Sequence, residues 1–327
     1  MNYRIANYND LPKMSKLFNE VVTEQYFIKP LTEELYIEKL LTNPDFDYES
    51  VFVVYDEEVL VGYAIGYLRK KYLENVEVAG IINSIFVKKE YRKQGIGSTL
   101  LKKLEQYFKE KNRKKIACAF FLPSCFEWYI PNTDNHDHPC APGIRVNSPE
   151  YFFYIHRGYE PYNYQDAFHL NLVDYEISDS IKSILERNAK DNITIELYDK
   201  DKHYGLEQFY KDLNLYDFEK VIRANLELDN PYPFLVVAKE NRIVGWTGAM
   251  WNEASGRGHF DGIAILEEVR GRGLGKALFS MLAYYNKNNG AKFMTFYTGQ
   301  NNHARYIYMG AGFKIIQTFT SMQKKIQ

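Results

Sequence analysis

Cysteine is nearly absent from this chain. Its 327 residues include only Cys118, Cys125 and Cys140, an odd set with no CxxC pair. That count argues against a disulfide framework and makes a reducing compartment the simpler setting. Long hydrophobic runs are also missing: no stretch approaches 18 uninterrupted apolar residues, so no membrane-spanning helix is expected. The opening Met1-Asn2-Tyr3-Arg4 lacks an apolar export segment, which points to a cytoplasmic protein. Neither charge sign dominates. Forty-one Lys and Arg against 42 Asp and Glu leave a formal net charge of -1. Nucleic-acid binding calls for a basic domain and is not expected.

The remainder of the composition, 46% apolar and 25% charged, is that of a globular protein. The length suits two domains better than one core. Aromatics are abundant, with 28 Tyr and 21 Phe, which fits well-packed cores and an aromatic-lined cleft. One signal occurs twice. Arg92-Lys93-Gln94-Gly95-Ile96-Gly97 and Arg270-Gly271-Arg272-Gly273-Leu274-Gly275 each follow an apolar run and open an amphipathic helix. A strand, a glycine turn and a helix N-terminus can hold phosphate through backbone N–H groups and the helix dipole.

Periodicity gives both halves the same order, β-α-α-β-β-β-turn-α-β-α-β. In the first half Asp10 reads as the cap of a helix, Val51–Leu68 as a hairpin, Gly80–Val87 as a strand, Ser98–Lys111 as a helix and Ile116–Phe121 as a strand. In the second half Phe234–Trp251 reads as the hairpin, Gly258–Ile265 as the strand before the turn, Lys276–Lys287 as the helix and Lys292–Tyr297 as a strand. The expected fold class is a mixed α/β (α+β) sheet, repeated. The expected boundaries are 1–175 for an N-terminal domain with a long inserted loop at 122–147, 176–192 for a linker with a short helix, and 193–327 for a C-terminal domain.

The spacing of the turns rules out two common phosphate loops. A Walker A motif would need glycine at Arg270 and Ser or Thr at Ala277. A dinucleotide fingerprint would need a third glycine at Lys276. What the copies share is R-x-x-G-x-G after a strand. That element resembles the acyl-CoA pyrophosphate loop of the GNAT acetyltransferases, [Q/R]-x-x-G-x-[G/A]. A second element of that family, N-x-x-A-x-x-x-Y-x-x-x-G-F, fits Asn301 through Tyr308 to Gly312-Phe313 at every fixed position. The first half carries a variant from Asn147 through Tyr154 to Gly158-Tyr159, with Glu150 in place of the alanine. The chain therefore resembles two acyl-CoA N-acyltransferase (GNAT) domains in tandem.

The resemblance implies acetyl-CoA as cofactor. Its implied binding residues are Val87, Arg92, Gln94, Gly95, Ile96, Gly97, Ser98 and Asn147 in the first half. In the second they are Ile265, Arg270, Arg272, Gly273, Leu274, Gly275, Lys276 and Asn301. A backbone amide within Ile85–Val87 or Ile263–Ile265 is implied to meet the thioester oxygen, and Tyr154 or Tyr308 to protonate the departing thiolate. His259 falls where some members place a base, with Asp261 two residues on and on the same strand face. An ordinary hydrogen-bonded strand histidine is the alternative. The matching first-half positions are Ile81 and Asn83, which are no bases, so the second half is favoured as catalytic.

The inserted loop keeps the opposite assignment open. Trp128, His136 and His138 are candidate substrate-binding residues, and Asp137 and Cys140 lie beside them. HxH with one Cys matches no standard zinc site, so no metal is expected. The Lys-rich stretch 109–115 reads as a solvated helix end that could also attract the 3′-phosphate of coenzyme A. The expected activity is N-acetyl transfer to an amine of a small molecule or peptide, by direct attack in a ternary complex. The rival is an acyl-CoA-binding regulatory or scaffold protein with one or both domains non-catalytic. The acceptor and the oligomeric state are not encoded in any pattern here.

Overall fold

The computed structural model describes residues 1–25, 28–118, 126–213 and 216–326. Cys125, the outer part of the expected strand 116–121 and the first residues of the 122–147 loop lie outside them. The chain folds as two compact units, Met1–Asp166 with Gln317–Gln327, and Ala167–Ile316. This differs from the expected 1–175 and 193–327, because the last residues of the chain belong to the first unit.

In the first unit the strands β1 (Asn2–Ile5), β2 (Val51–Asp56), β3 (Val59–Tyr67) and β4 (Gly80–Val87) pair antiparallel in sequence order. β5 (Lys115–Cys118) lies parallel to β4, paired along Gly80–Ile82. Beyond Ile82, β4 is paired to β3 alone among the described residues. The helices are α1 (Leu11–Gln25), α2 (Glu33–Leu41) and α3 (Ile96–Glu110). α3 buries Ile96, Leu100, Leu101, Leu104, Tyr107 and Phe108, the 3.6-residue stripe read from the sequence. Asp10 does not simply cap α1. It closes a capping box with Asn7 around a short 3-10 turn and is buried against Arg4 (2.6 Å) and the Tyr55 hydroxyl (2.7 Å). The inserted loop folds as a small hairpin of β6 (Trp128–Tyr129) and β7 (Asp137–His138), followed by β8 (Ile144–Arg145) and α4 (Pro149–Ile155), capped by Ser148.

The strand β9 (Glu160–Asn171) begins in the first unit and ends in the second. The second unit then has α5 (Asp179–Ala189), β10 (Ile193–Leu197), α6 (Leu206–Leu213) and α7 (Tyr216–Leu226). The expected linker thus contains a three-turn helix. β11 (Leu235–Lys239) and β12 (Arg242–Thr247) form the hairpin. The expected strand Gly258–Ile265 is broken. Its start, β13 (Arg257–Gly258), pairs with β15 (Phe293–Gly299), whereas its end, β14 (Ile263–Ile265), pairs with β12. The switch of partner requires the chain between them to leave the ladder. α8 (Leu274–Asn288) and α9 (Ala304–Gly310) follow the glycine turn and β15.

The final strand, β16 (Lys314–Lys325), returns to the first unit. There Met322–Lys325 pair with β5, and Phe319 and Thr320 pair with β8. Phe319, Thr320 and Met322 are fully enclosed. Cys118 is a free, buried thiol, while Cys140 is disulfide-bonded, contrary to the expectation drawn from the cysteine count.

Candidate functional site

Each glycine turn is built the same way. The motif arginine braces the turn against the strand before it: Arg92 Nε donates to the Val87 carbonyl (2.9 Å) and Arg270 Nε to the Ile265 carbonyl (3.4 Å). Gly95 and Gly273 cap α3 and α8 in the left-handed region, at φ +84° and +80°, where any side chain is strained. The second glycine serves close approach. A Cβ at Gly97 would stand 3.4 Å from the Phe153 ring, and one at Gly275 would stand 2.9 Å from Ile307 Cδ1. A Cβ at Gly95 or Gly271 would meet nothing within 4 Å, so the outer face of each turn is open. The first N–H groups of a helix have no partner inside it. These turns present them to that open face, as a pyrophosphate requires.

The surroundings are unequal. In the first unit Arg92 is also paired with Glu24 at 2.9 Å, and Lys89 with the same carboxylate at 3.1 Å. A cleft of about 880 Å³ between α1 and Lys88–Glu90 runs beside this cluster. Ser98 accepts from Arg157 Nη2 (2.6 Å), whose guanidinium lies over Phe153. Gln94 folds back, its Nε2 donating to the Glu90 carbonyl. In the second unit Arg270 is exposed, and Lys276 lies along Gly310, which has no side chain to block it. Among the described residues β14 has a strand partner on one edge only, and alternate amides of Ile263–Ile265 face away from β12.

The two tyrosines also differ. Tyr154 is buried beside the Cys118 thiol; burial first, and the thiol second, push its pKa well up. Tyr308 packs among Phe296 (4.6 Å), Phe279 (4.7 Å), Phe168 (5.6 Å) and Phe260 (6.2 Å). Burial alone pushes its pKa up to about 12. Both groups therefore keep their proton at neutral pH.

His259 and Asp261 lie in the break between β13 and β14, not on one strand face as expected. Phe260 points into the aromatic core, and its neighbours turn to each other: His259 Nε2 is 2.5 Å from Asp261 Oδ1. Two residues outside every motif complete the cluster. Trp251 stacks on the His259 ring, and Glu253 Oε1 lies 3.1 Å from Trp251 Nε1 and 3.4 Å from His259 Nδ1. They reach it through the isolated bridge Asn252↔Gly258, a pairing no periodicity announces.

The other candidates are scattered. Trp128 and His138 are buried and stacked on each other, with the Trp128 indole N–H on the Cys140 carbonyl (2.9 Å), and His136 is half-buried near the hairpin turn. Asn147 and Asn301 are exposed. Their neighbours Ser148 and Asn302 accept from the first helical amides of α4 and α9 instead. Among the described residues no group of three His, Cys, Asp or Glu could hold a metal ion, and no helix is long and apolar enough to cross a membrane.

The family model described as the acetyltransferase (GNAT) family matches this chain twice, at residues 12–124 and 194–313. No curated protein matches. Among solved structures, a GCN5-related glucosamine N-acetyltransferase region of a fungal multi-domain GH3 β-N-acetylglucosaminidase superposes with a TM-score of 0.65 at 14% identity. That match covers 99% of this chain and 38% of the fungal one. A GCN5-related N-acetyltransferase from Sphaerobacter thermophilus gives 0.59 at 15% identity, covering 100% and 96%. A tandem GNAT protein of the clavulanic acid biosynthesis pathway gives 0.56 at 11% identity, covering 99% and 98%. At these identities the likeness is one of fold.

Proposed function

The chain belongs to the GNAT acetyltransferase family, a family of acyltransferases, and from that premise we propose that it moves the acetyl group of acetyl-CoA to an amine of a small molecule or peptide. The transfer is direct, within a ternary complex. Acetyl-CoA supplies an activated thioester, and the protein's work is to bind, orient and move protons. The observation that carries this reading is the half-paired strand β14 running into an open glycine turn. Its free edge can hydrogen-bond an extended chain and a developing oxyanion, and the turn's amides can hold the attached phosphates.

The second unit is the catalytic one in this reading. His259, held between Asp261 and Glu253, accepts the proton of the attacking amine. Both ring nitrogens face carboxylates, so the ring must give up one of these contacts to act as a base. Tyr308, still protonated, is the acid for the departing sulfur. A second reading, that the first unit binds without turning over, is favoured by Arg92 being neutralised by Glu24, by Tyr154 being engaged by Cys118, and by Ile81 and Asn83 standing where a base would lie.

The test is hydrogen exchange of the intact chain with acetyl-CoA, together with an amine-library screen that detects thiol release. Protection is expected at 270–276, and thiol release should depend on the amine. If millimolar acetyl-CoA protects neither turn, the reading fails.

A further inference from the structure

The helix α5 lies outside both segments that match the family, yet it touches the second glycine turn at every level. Arg187 Nη2 donates to the Arg272 carbonyl at 2.8 Å, and Asn188 Nδ2 donates to the same oxygen at 3.3 Å. Asp191 holds the Arg272 guanidinium at 2.5 Å. Ile184 backs the turn so closely that a Cβ on Gly273 would meet its Cδ1 at 3.0 Å.

A trans peptide is planar, with its C=O and N–H pointing in opposite directions. Tying down the Arg272 oxygen therefore aims the Gly273 N–H the other way, away from α5. The tie matters because this peptide is bounded on one side by Gly273, at φ +80°. A glycine there lowers the barrier to a flip of the peptide plane. Asn188 is only 1% exposed and its Oδ1 has no partner. Burying an unsatisfied acceptor is unfavourable, so the side chain's return lies in what its Nδ2 holds. The first turn has the same left-handed backbone, with Lys93 at φ +62° where the second has Gly271.

We propose that Asn188 and Arg187 are positioning residues of the second cofactor site, fixing the Arg272–Gly273 peptide so that the Gly273 N–H faces the pyrophosphate of an acyl-CoA. This rests on the reading of 270–276 as the cofactor cradle. It makes the segment between the two family matches a working part of the second one. The expected signature is a selective loss: donors bearing the pyrophosphate weaken, and donors lacking it do not.

The experiment uses the full chain with Arg187→Ala, and with Arg187→Ala plus Asn188→Leu. Acetyl-CoA is titrated by hydrogen exchange, reading peptides over 270–276 and 92–98 separately. Turnover is compared between acetyl-CoA and S-acetylpantetheine, which lacks the pyrophosphate. Affinity at 270–276 should fall about threefold in the single variant and about tenfold in the double, the scale of one and two lost hydrogen bonds. The KM for S-acetylpantetheine and the titration of 92–98 should not move. Unchanged acetyl-CoA affinity in both variants overturns the proposal, and so does an equal loss for both donors. Because Arg187 is exposed, its variant keeps the test alive if the double variant folds poorly. If the unsubstituted chain shows no protection at 270–276, the cradle reading is withdrawn and the positioning role falls with it.

Discussion

The assignment of Gln317–Gln327 to the first unit can be tested by weakening that strand alone. Phe319 and Met322 are both 0% exposed. Phe319 meets Trp128 edge-on at 5.5 Å, and Met322 lies opposite Cys118 in the β5 ladder. Truncating a buried Phe to Ala removes about 3–5 kcal/mol, and a buried Met about 2–5 kcal/mol. The two sites are close enough to share neighbours, so the sum is an upper figure. Even one of them is a large part of a domain's total of about 5–15 kcal/mol. The unit that suffers should be the one at the other end of the sequence. In Phe319→Ala/Met322→Ala, hydrogen exchange should accelerate across Val59–Tyr67 and Gly80–Val87, while Leu235–Lys239 and Phe293–Gly299 keep most of their protection. The opposite pattern, with the second unit's strands losing protection and the first unit's holding, would refute the assignment.

Gly143 sits under the same strand: a Cβ there would lie 2.6 Å from the Thr320 carbonyl oxygen, which as backbone cannot step aside. Gly143→Ala should cost about 1–3 kcal/mol, seen as a lower midpoint in urea for the first unit only. Tyr308→Phe should lower kcat by about 10²-fold or more with little change in Tm, since burial alone accounts for the hydroxyl's raised pKa. A pair of equal kcat values would remove Tyr308 from the acid role. The same tyrosine has a pKa raised from 10.0 to about 12 by burial. Its contribution to stability is whole below pH 10 and is lost as pH climbs towards 12, by about 2–3 kcal/mol. Denaturation midpoints between pH 9 and 12 should fall more steeply for the unsubstituted chain than for Tyr308→Phe.

Local pattern reported local structure well. The α3 stripe, the hairpins, the two glycine turns and even a helix near Ile181 and Ile184 were legible because 3.6-residue and two-residue periods are imposed by neighbours in sequence. What escaped was long-range. Nothing about Lys314–Lys325 says which sheet it joins, since alternation fits any apolar face. The break in Gly258–Ile265 is invisible to local pattern because only the change of partner from β15 to β12 marks it. A continuous strand would put His259 and Asp261 on one face; in the structure they meet across the break instead. Trp251 and Glu253 reach His259 through one isolated bridge. Asp10 read as a plain cap because its partners Arg4 and Tyr55 come from other strands.

The returning strand also has a consequence in time. Lys324 meets Glu105 across 219 positions of chain. At about 5–20 residues per second, the ribosome takes roughly 10–45 s to supply the second after the first. Through that interval the sheet of the leading unit ends at β5 with a bare edge, an opening to which other strands can add. The second unit is one continuous stretch, Ala167–Ile316, whereas the first waits on residues made after all of it. Synthesis therefore begins with one unit and maturation begins with the other. Slow elongation or early termination before Met322 would leave the N-terminal unit, not the C-terminal one, in need of a chaperone.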